Sequence, residues 1–292
     1  AQLRVNSVRN LAGLAPSLQI NTQGMQSNPT IIIRGVASGT SSNSVDPKVG
    51  IYIDGVYIGR AVGSLLDFGD AQRIEVLRGP QGTLFGRNAT SGAISITTVA
   101  PTGDFGVRGT VSYGNYNAFR GKISVDLPKA GPFSVRLSYL HDQIDGDVDN
   151  LVGGKGLDLS LRAPEFGTQK YVSKLGYRNI DGGQIAVRGD FGDVTADYRF
   201  DYTDANASGR AMQNLGVIPD ASGQLLAPIV ALQSFFGGIT NAGTSGPLKA
   251  VAAATSNEHT VTQGHSLTLT WNASDRLALK SITAYRKFRQ DP

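Results

Sequence analysis

The chain has 292 residues, 40% of them hydrophobic and 17% charged, which suits a folded protein of up to two ordinary domains and excludes disorder throughout. It has no cysteine, so disulfide frameworks and thiolate metal sites are excluded, and its net charge of +4 comes from singly scattered Lys and Arg instead of a patch that would hold nucleic acid. No charged-then-apolar leader opens the sequence and no run of about 18 apolar residues occurs, which excludes a helical membrane span but leaves strand spans open.

In chain order, Asn6 to Leu14 reads as helical, closed by Pro16 before a short strand at Leu18 to Asn21. Thr30 to Val36 is expected to be one strand buried on both faces, because its apolar run is interrupted only by Arg34. A polar loop from Ala37 to Lys48 leads into VGIYIDGVYIG, where Asp54-Gly55 between two alternating runs predicts a hairpin with arms Val49 to Ile53 and Val56 to Ile58. The segment Arg60 to Ala71 is mixed, with a short helical turn. Two strands, Ile74 to Leu77 and Ala93 to Thr98, then flank a tight turn and a helical turn, since Pro80 offers no amide hydrogen to a ladder and Gly, Pro and Asn punctuate the stretch between them.

The residues Glu75, Val76, Arg78, Gly79, Pro80, Gly82, Gly86, Gly92 and Ile94 match the pattern E-V-x-R-G-P-x-G-x-x-x-G-x-x-x-x-x-G-x-I. This stretch, with LAGLAPSLQIN near the start, resembles the plug domain of the TonB-dependent outer-membrane receptors. The resemblance implies an α+β plug domain over residues 1–100.

From Phe105 onward the pattern changes to strict alternation. In Phe105 to Tyr113 the residues Phe105, Val107, Gly109, Val111 and Tyr113 share one face, and Arg108, Thr110 and Ser112 share the other. Phe119 to Leu127, Phe133 to Tyr139, Gln184 to Phe191, Val194 to Thr203, Gly264 to Trp271 and Leu277 to Phe288 continue it, giving about seven strands near the length of ~10 residues that crosses a membrane. A soluble sandwich would alternate too. Aromatic residues at strand ends (Phe105, Tyr113, Phe119, Phe133, Phe191, Trp271), and tight turns alternating with long loops at Asp147 to Asp181 and Ala205 to Thr262, favour a barrel. Tyr198, Phe200 and Tyr202 run toward mid-strand and fit the girdles less well. Residues 101–292 are therefore expected to be antiparallel transmembrane β-barrel strands, with Arg108, Asp126, Arg188, Asp197 and Arg199 toward the lumen. Seven strands cannot close alone, and the resemblance implies the first part of an incomplete 22-stranded barrel, without the coupling box that precedes the family's plug.

The resemblance also implies a function: energy-dependent uptake of a scarce solute through the bacterial outer membrane, driven by the inner-membrane TonB protein. A ferric siderophore leads by family frequency, with cobalamin, carbohydrate and aromatic compounds as alternatives. A structural or adhesive β-protein is the rival of another class. In the family, arginines at the positions of Arg34 and Arg78 pair with wall glutamates and anchor the plug. The alternative is an exposed arginine at a strand end. Ser41, Asn43, Asp46, Tyr57 and Arg60 would lie at the plug apex as ligand contacts, or else on a solvated loop. His141, His259 and His265 lack the spacing of a metal site, no cofactor is implied, and no G-x-S-x-G, H-E-x-x-H or phosphate-loop motif supports an enzyme.

Overall fold

The computed structural model describes residues 15–21, 30–38, 47–59, 71–86, 88–158, 160, 167–209, 211, 249–251, 253 and 255–291. The expected helix over Asn6 to Leu14 and the mixed segment at 60–70 lie outside them.

The plug holds two small sheets. Strands β1 (Leu18–Asn21), β2 (Thr30–Ile33) and β3 (Val36–Ser38) form an antiparallel one in that order. Strands β4 (Val49–Ile53), β5 (Val56–Tyr57), β6 (Ala71–Arg78) and β7 (Gly92–Thr98) form the other in the order β5-β4-β7-β6, with helix α1 (Gly82–Phe85) between β6 and β7. The β4–β7 pair is parallel and its neighbours are antiparallel. Ile31, Ile33 and Ile94 are fully buried and join Val49, Ile51 and Ile58 in a core shared by the two sheets. Gly92 is a point of close approach: a Cβ there would stand 2.8 Å from Ile33 Cδ1 of the other sheet and 2.5 Å from the carbonyl oxygen of Leu77 in its own.

The expected single strand Thr30 to Val36 is in fact a hairpin. Arg34 and Gly35 turn the chain with φ of 53° and 78°, and Val36 pairs back onto Ile33. A two-residue turn of this hand needs positive φ at both positions, which Gly35 adopts freely. The continuous apolar run hid the break, and it drew Ala37 out of the expected loop into β3.

The wall begins with β8 (Gly106–Gly114), β9 (Ala118–Asp126) and β10 (Phe133–Ile144). A long loop then carries β11 (Val148–Asn150), β12 (Gly156–Asp158), β13 (Thr168–Lys170) and β14 (Lys174–Leu175). Strands β15 (Arg178–Phe191) and β16 (Val194–Ala207) follow, then β17 (Ala250–Val251) in the second long loop, and finally β18 (Glu258–Ser274) and β19 (Leu277–Asp291). The wall is one 7-stranded sheet in the order β19-β18-β16-β15-β10-β9-β8, antiparallel throughout. The seven alternating runs of the sequence thus become its seven strands.

Strands β15, β16 and β18 extend well past the alternating runs, at the end that carries the long loops. Arg178 to Gly183, Asp204 to Ala207 and Glu258 to Gln263 are polar or glycine-rich and read as loop, yet register pairing with neighbours holds them in the ladder. Alternation sets the faces. Ser134 and Arg136 are buried on the concave side, while Phe133, Leu137 and Tyr139 are exposed on the convex side. Phe133 and Phe191 meet edge to face at 5.7 Å near the tight-turn end, as one girdle of the apolar band. Tyr198, Phe200 and Tyr202 all face outward and climb toward the other girdle. Tyr202 shares a register row with Tyr139 through Gly183, whereas Tyr198 and Phe200 stay at mid-strand.

Candidate functional site

The plug meets the wall at the Asp54-Gly55 turn. Both residues have positive φ, 50° and 84°, as the hairpin requires, and aspartate is one of the few side-chain-bearing residues that tolerates it. The Asp54 amide donates to the Ile96 carbonyl at 2.9 Å, which fixes the tip of the hairpin onto β7. Its carboxylate then accepts from the Thr98 amide at 2.9 Å and from the Thr98 hydroxyl at 2.8 Å. Across the boundary, Arg199 of β16 places Nε 3.2 Å and Nη1 3.3 Å from Asp54 Oδ2, and Nη1 also donates to Thr98 Oγ1 at 2.6 Å.

The two charged side chains retain only 12% and 14% of their exposure, so the pair is largely withdrawn from water and every acceptor position on the carboxylate matters. Gly55 is packed against the wall as well. A Cβ there would lie 2.9 Å from Ile282 Cδ1 of β19. The hairpin tip therefore touches two wall strands, with β18 between them.

Five other inward arginines pair within the wall. Arg136 holds Asp126, Arg188 holds Asp197, Arg286 holds Asp201, and Arg120 and Arg178 share Asp142. Asp197 and Asp201, the acidic neighbours of Arg199 along β16, are thus already occupied. Arg199 is left to reach inward for a carboxylate, and Asp54 supplies it. Sequence reading placed Arg199 in the lumen but took Asp54 only as a turn residue and gave Thr98 no role. Pairing the lumen charges of β16 with their register neighbours would have left Arg199 over, because Asp197 and Asp201 are already taken.

Behind the tip, the ring of Tyr52 is 6% exposed and packs on Phe85 at 4.7 Å and on Tyr57 at 5.5 Å. Its hydroxyl donates to the Phe85 carbonyl, which lashes α1 beneath the hairpin, and burial raises its pKa above the ordinary tyrosine value. Of the expected ligand contacts, Tyr57 is half-buried in this aromatic cluster. Ser41, Asn43, Asp46 and Arg60 lie outside the described residues.

The expected anchors Arg34 and Arg78 are both exposed and form no ion pair with a carboxylate among the described residues. They are nevertheless brought together. Arg34 Nη1 stands 3.4 Å from where a Cβ on Gly79 would be, beside Arg78 at the end of β6. Neither takes part in the plug–wall contact centred on Asp54.

Residues 1–93 match the model of the TonB-dependent receptor plug domain. The chain is 33% identical over 147 residues to the pesticin receptor of Yersinia pestis, a match that covers 49% of this chain and 21% of that protein. It is 28% identical over 139 residues to the catecholate siderophore receptor Fiu of Escherichia coli K12, covering 47% and 17%. Among solved structures, the ferric yersiniabactin uptake receptor FyuA from Yersinia pestis superposes with a TM-score of 0.71 at 22% identity, over 99% of this chain and 39% of that one. Fiu in its closed form gives 0.67 at 17% identity, over 98% and 35%. At these identities the superpositions establish the fold. The chain spans about a fifth of the length of the curated relatives it matches.

Proposed function

We propose that this chain, whose residues 1–93 match the TonB-dependent receptor plug domain, is the plug and part of the barrel wall of a bacterial TonB-dependent outer-membrane receptor, and that it serves energy-dependent uptake of a scarce solute, with a ferric siderophore as the cargo. The observation that carries this reading is the character of the plug–wall contact. Among the described residues, the plug's apolar cluster contains no wall residue, and the plug meets the wall through the Asp54–Arg199–Thr98 network and the packing of Gly55 on Ile282. Such a contact can exchange its hydrogen bonds for water when the plug moves, whereas an apolar interface would expose its whole area at about 25 cal/mol per Å². That suits a stopper that must hold and then yield. Binding and gating replace catalysis.

In this reading the solute enters from the side of the long loops, and an inner-membrane TonB partner pulls on the plug from the opposite side. The convex face, with its apolar band, sits in lipid. The iron-chelate cargo is favoured by relatives named for catecholate siderophore, ferric yersiniabactin and pyoverdine. A match to the vitamin B12 transporter BtuB of Vibrio vulnificus, 29% identical over 115 residues, keeps cobalamin as the second reading.

The test is growth of a strain lacking the full-length receptor. Under iron limitation it should fail to use one ferric siderophore as sole iron source while growing normally on haem, cobalamin and single sugars, and loss of TonB should reproduce the defect. A defect confined to a vitamin or a carbon source, with every iron source still used, would overturn the siderophore reading.

A further inference from the structure

Among the described residues, the bases of the two long loops on the outer side of the wall, 145–158 and 167–177 of the first and 208–209, 249–251, 253 and 255–257 of the second, are stitched together. Strand β11 of the first pairs in parallel with β17 of the second, Asp149 opposite Ala250 and Asn150 opposite Val251, and antiparallel with β14 of its own loop. Further bonds cross between the loops: the Asp149 amide donates to the Lys249 carbonyl at 2.9 Å, the Val172 amide to the Thr255 carbonyl at 3.0 Å, and the Gly176 amide to the Gly209 carbonyl at 3.1 Å. Tyr171 and Ser256 form an isolated bridge, and the Tyr177 hydroxyl bonds to Asn257.

Asn150 is the centre of this seam. Its side chain is nearly buried, and its carboxamide behaves as an extra peptide unit. Nδ2 donates to the carbonyls of Val172 at 2.7 Å and Ala253 at 2.9 Å, while Oδ1 accepts from the amides of Ala253 at 3.0 Å and Val152 at 3.3 Å. One side chain thus satisfies both backbone groups of Ala253 and one from each of two segments in its own loop. No other natural side chain of this length offers two donors and an acceptor in one plane. Within the first loop the backbones also approach too closely for side chains between them. A Cβ on Gly153 would stand 2.6 Å from Ser173 Cα, and one on Gly146 2.5 Å from the Leu175 carbonyl oxygen. Val148 and Leu175 are buried beneath.

We infer that the described bases of these two loops form a single fixed panel on the rim of the lumen, clasped by Asn150, and do not move as two independent lids. Neither base can swing without the other. On the uptake reading above, solute-dependent closure does not start from a hinge at these bases. The panel itself is independent of that reading, because it concerns only how the two loops are joined.

Hydrogen exchange on the full-length receptor in detergent, without solute, tests this. In Asn150→Ala, exchange at 148–158, 171–175 and 249–257 should accelerate together, by about tenfold, because the bonds lost lie on both sides of the seam. The strands β10 and β16 should keep their protection, which shows that the wall is still folded. Acceleration confined to the loop that carries the substitution would overturn the panel. A second variant does not depend on weakening anything: the chain lacks cysteine, so Asp149→Cys with Ala250→Cys places a lone disulfide across the seam. In a panel already fixed, closing that disulfide should slow exchange in the two loops by less than about twofold. Independent lids would instead be slowed by tenfold or more, and that result would sink the inference.

Discussion

Arg199 Nε of the wall stands 3.2 Å from Asp54 Oδ2 of the plug, and the same guanidinium donates to the hydroxyl of Thr98, the last residue of the plug's final strand. The tip of the hairpin, the point at which the chain leaves the plug, and the wall are thereby tied at one place. Asp54 is also the residue whose positive φ makes the turn, so local conformation and long-range pairing rest on one side chain.

Breaking that tie from either side should loosen the plug. Asp54→Ala or Arg199→Ala leaves a largely buried charge without its partner, at a cost of roughly 3 kcal/mol each, whereas the double variant should cost less than the sum because no orphan charge remains. Arg199→Lys should recover only part, since an ammonium cannot span Asp54 and Thr98 with a planar fork. The measurements are hydrogen exchange over 49–58 and sensitivity of cells to a large antibiotic such as vancomycin. Additive effects of the two Ala variants would mean that the pair is not the tie.

Much of this architecture could be read before any coordinates. The seven alternating runs, the Asp54-Gly55 hairpin and the strand–turn–strand of 71–98 all follow from local patterns, because period-two burial and glycine turns leave their mark within a few residues. What stayed hidden was long-range. Asp54 and Arg199 lie 145 residues apart, and nothing near either one announces the other. The Arg34-Gly35 turn was masked by apolar residues on both sides, and the outer ends of β15 and β18 by polar residues that pairing alone keeps extended.

The two faces of the wall should be separable by chemistry. In a full-length receptor without native cysteine, Cys at Val107, Val125, Val135 or Val187 should react with lipid-soluble thiol reagents and resist water-soluble ones, because these positions alternate onto the convex face. Cys at Arg120 or Arg188 should show the opposite preference. Labelling of the valines by water-soluble reagents would instead point to a soluble sandwich.

Tyr52 gives the plug an alkaline limit. Its burial raises the folded-state pKa above the unfolded value of 10.0, so the neutral form is favoured in the folded plug. The stability this represents is fully present below pH 10.0 and is lost as pH rises through the folded pKa. Tyr52→Phe should cost about 1 kcal/mol at neutral pH through the lost bond to the Phe85 carbonyl, and should flatten the decline above that point. Exchange of the 82–86 amides against pH reads both effects. A decline unchanged in the Phe variant would assign the alkaline limit to another group.

The last prediction concerns Arg34 and Arg78, proposed as anchors of the plug and not as solute contacts. Arg34 Nη1 lies over Gly79, the residue that follows Arg78. An acidic group elsewhere on the receptor wall that both guanidiniums reach would satisfy both. Arg34→Ala and Arg78→Ala should each weaken plug docking by roughly 3 kcal/mol if that partner is buried, and a shared partner makes the pair non-additive, the second loss adding less than the first. Lys at either position should rescue in part, because it keeps the charge but not the bidentate geometry. Solute affinity should change little while sensitivity to large antibiotics rises. The comparison to make is siderophore affinity against vancomycin sensitivity for the single, double and Lys variants of the full-length receptor. If affinity collapses while the membrane stays tight, these arginines belong to the solute site, and Asp54–Arg199 remains as the tie between plug and wall.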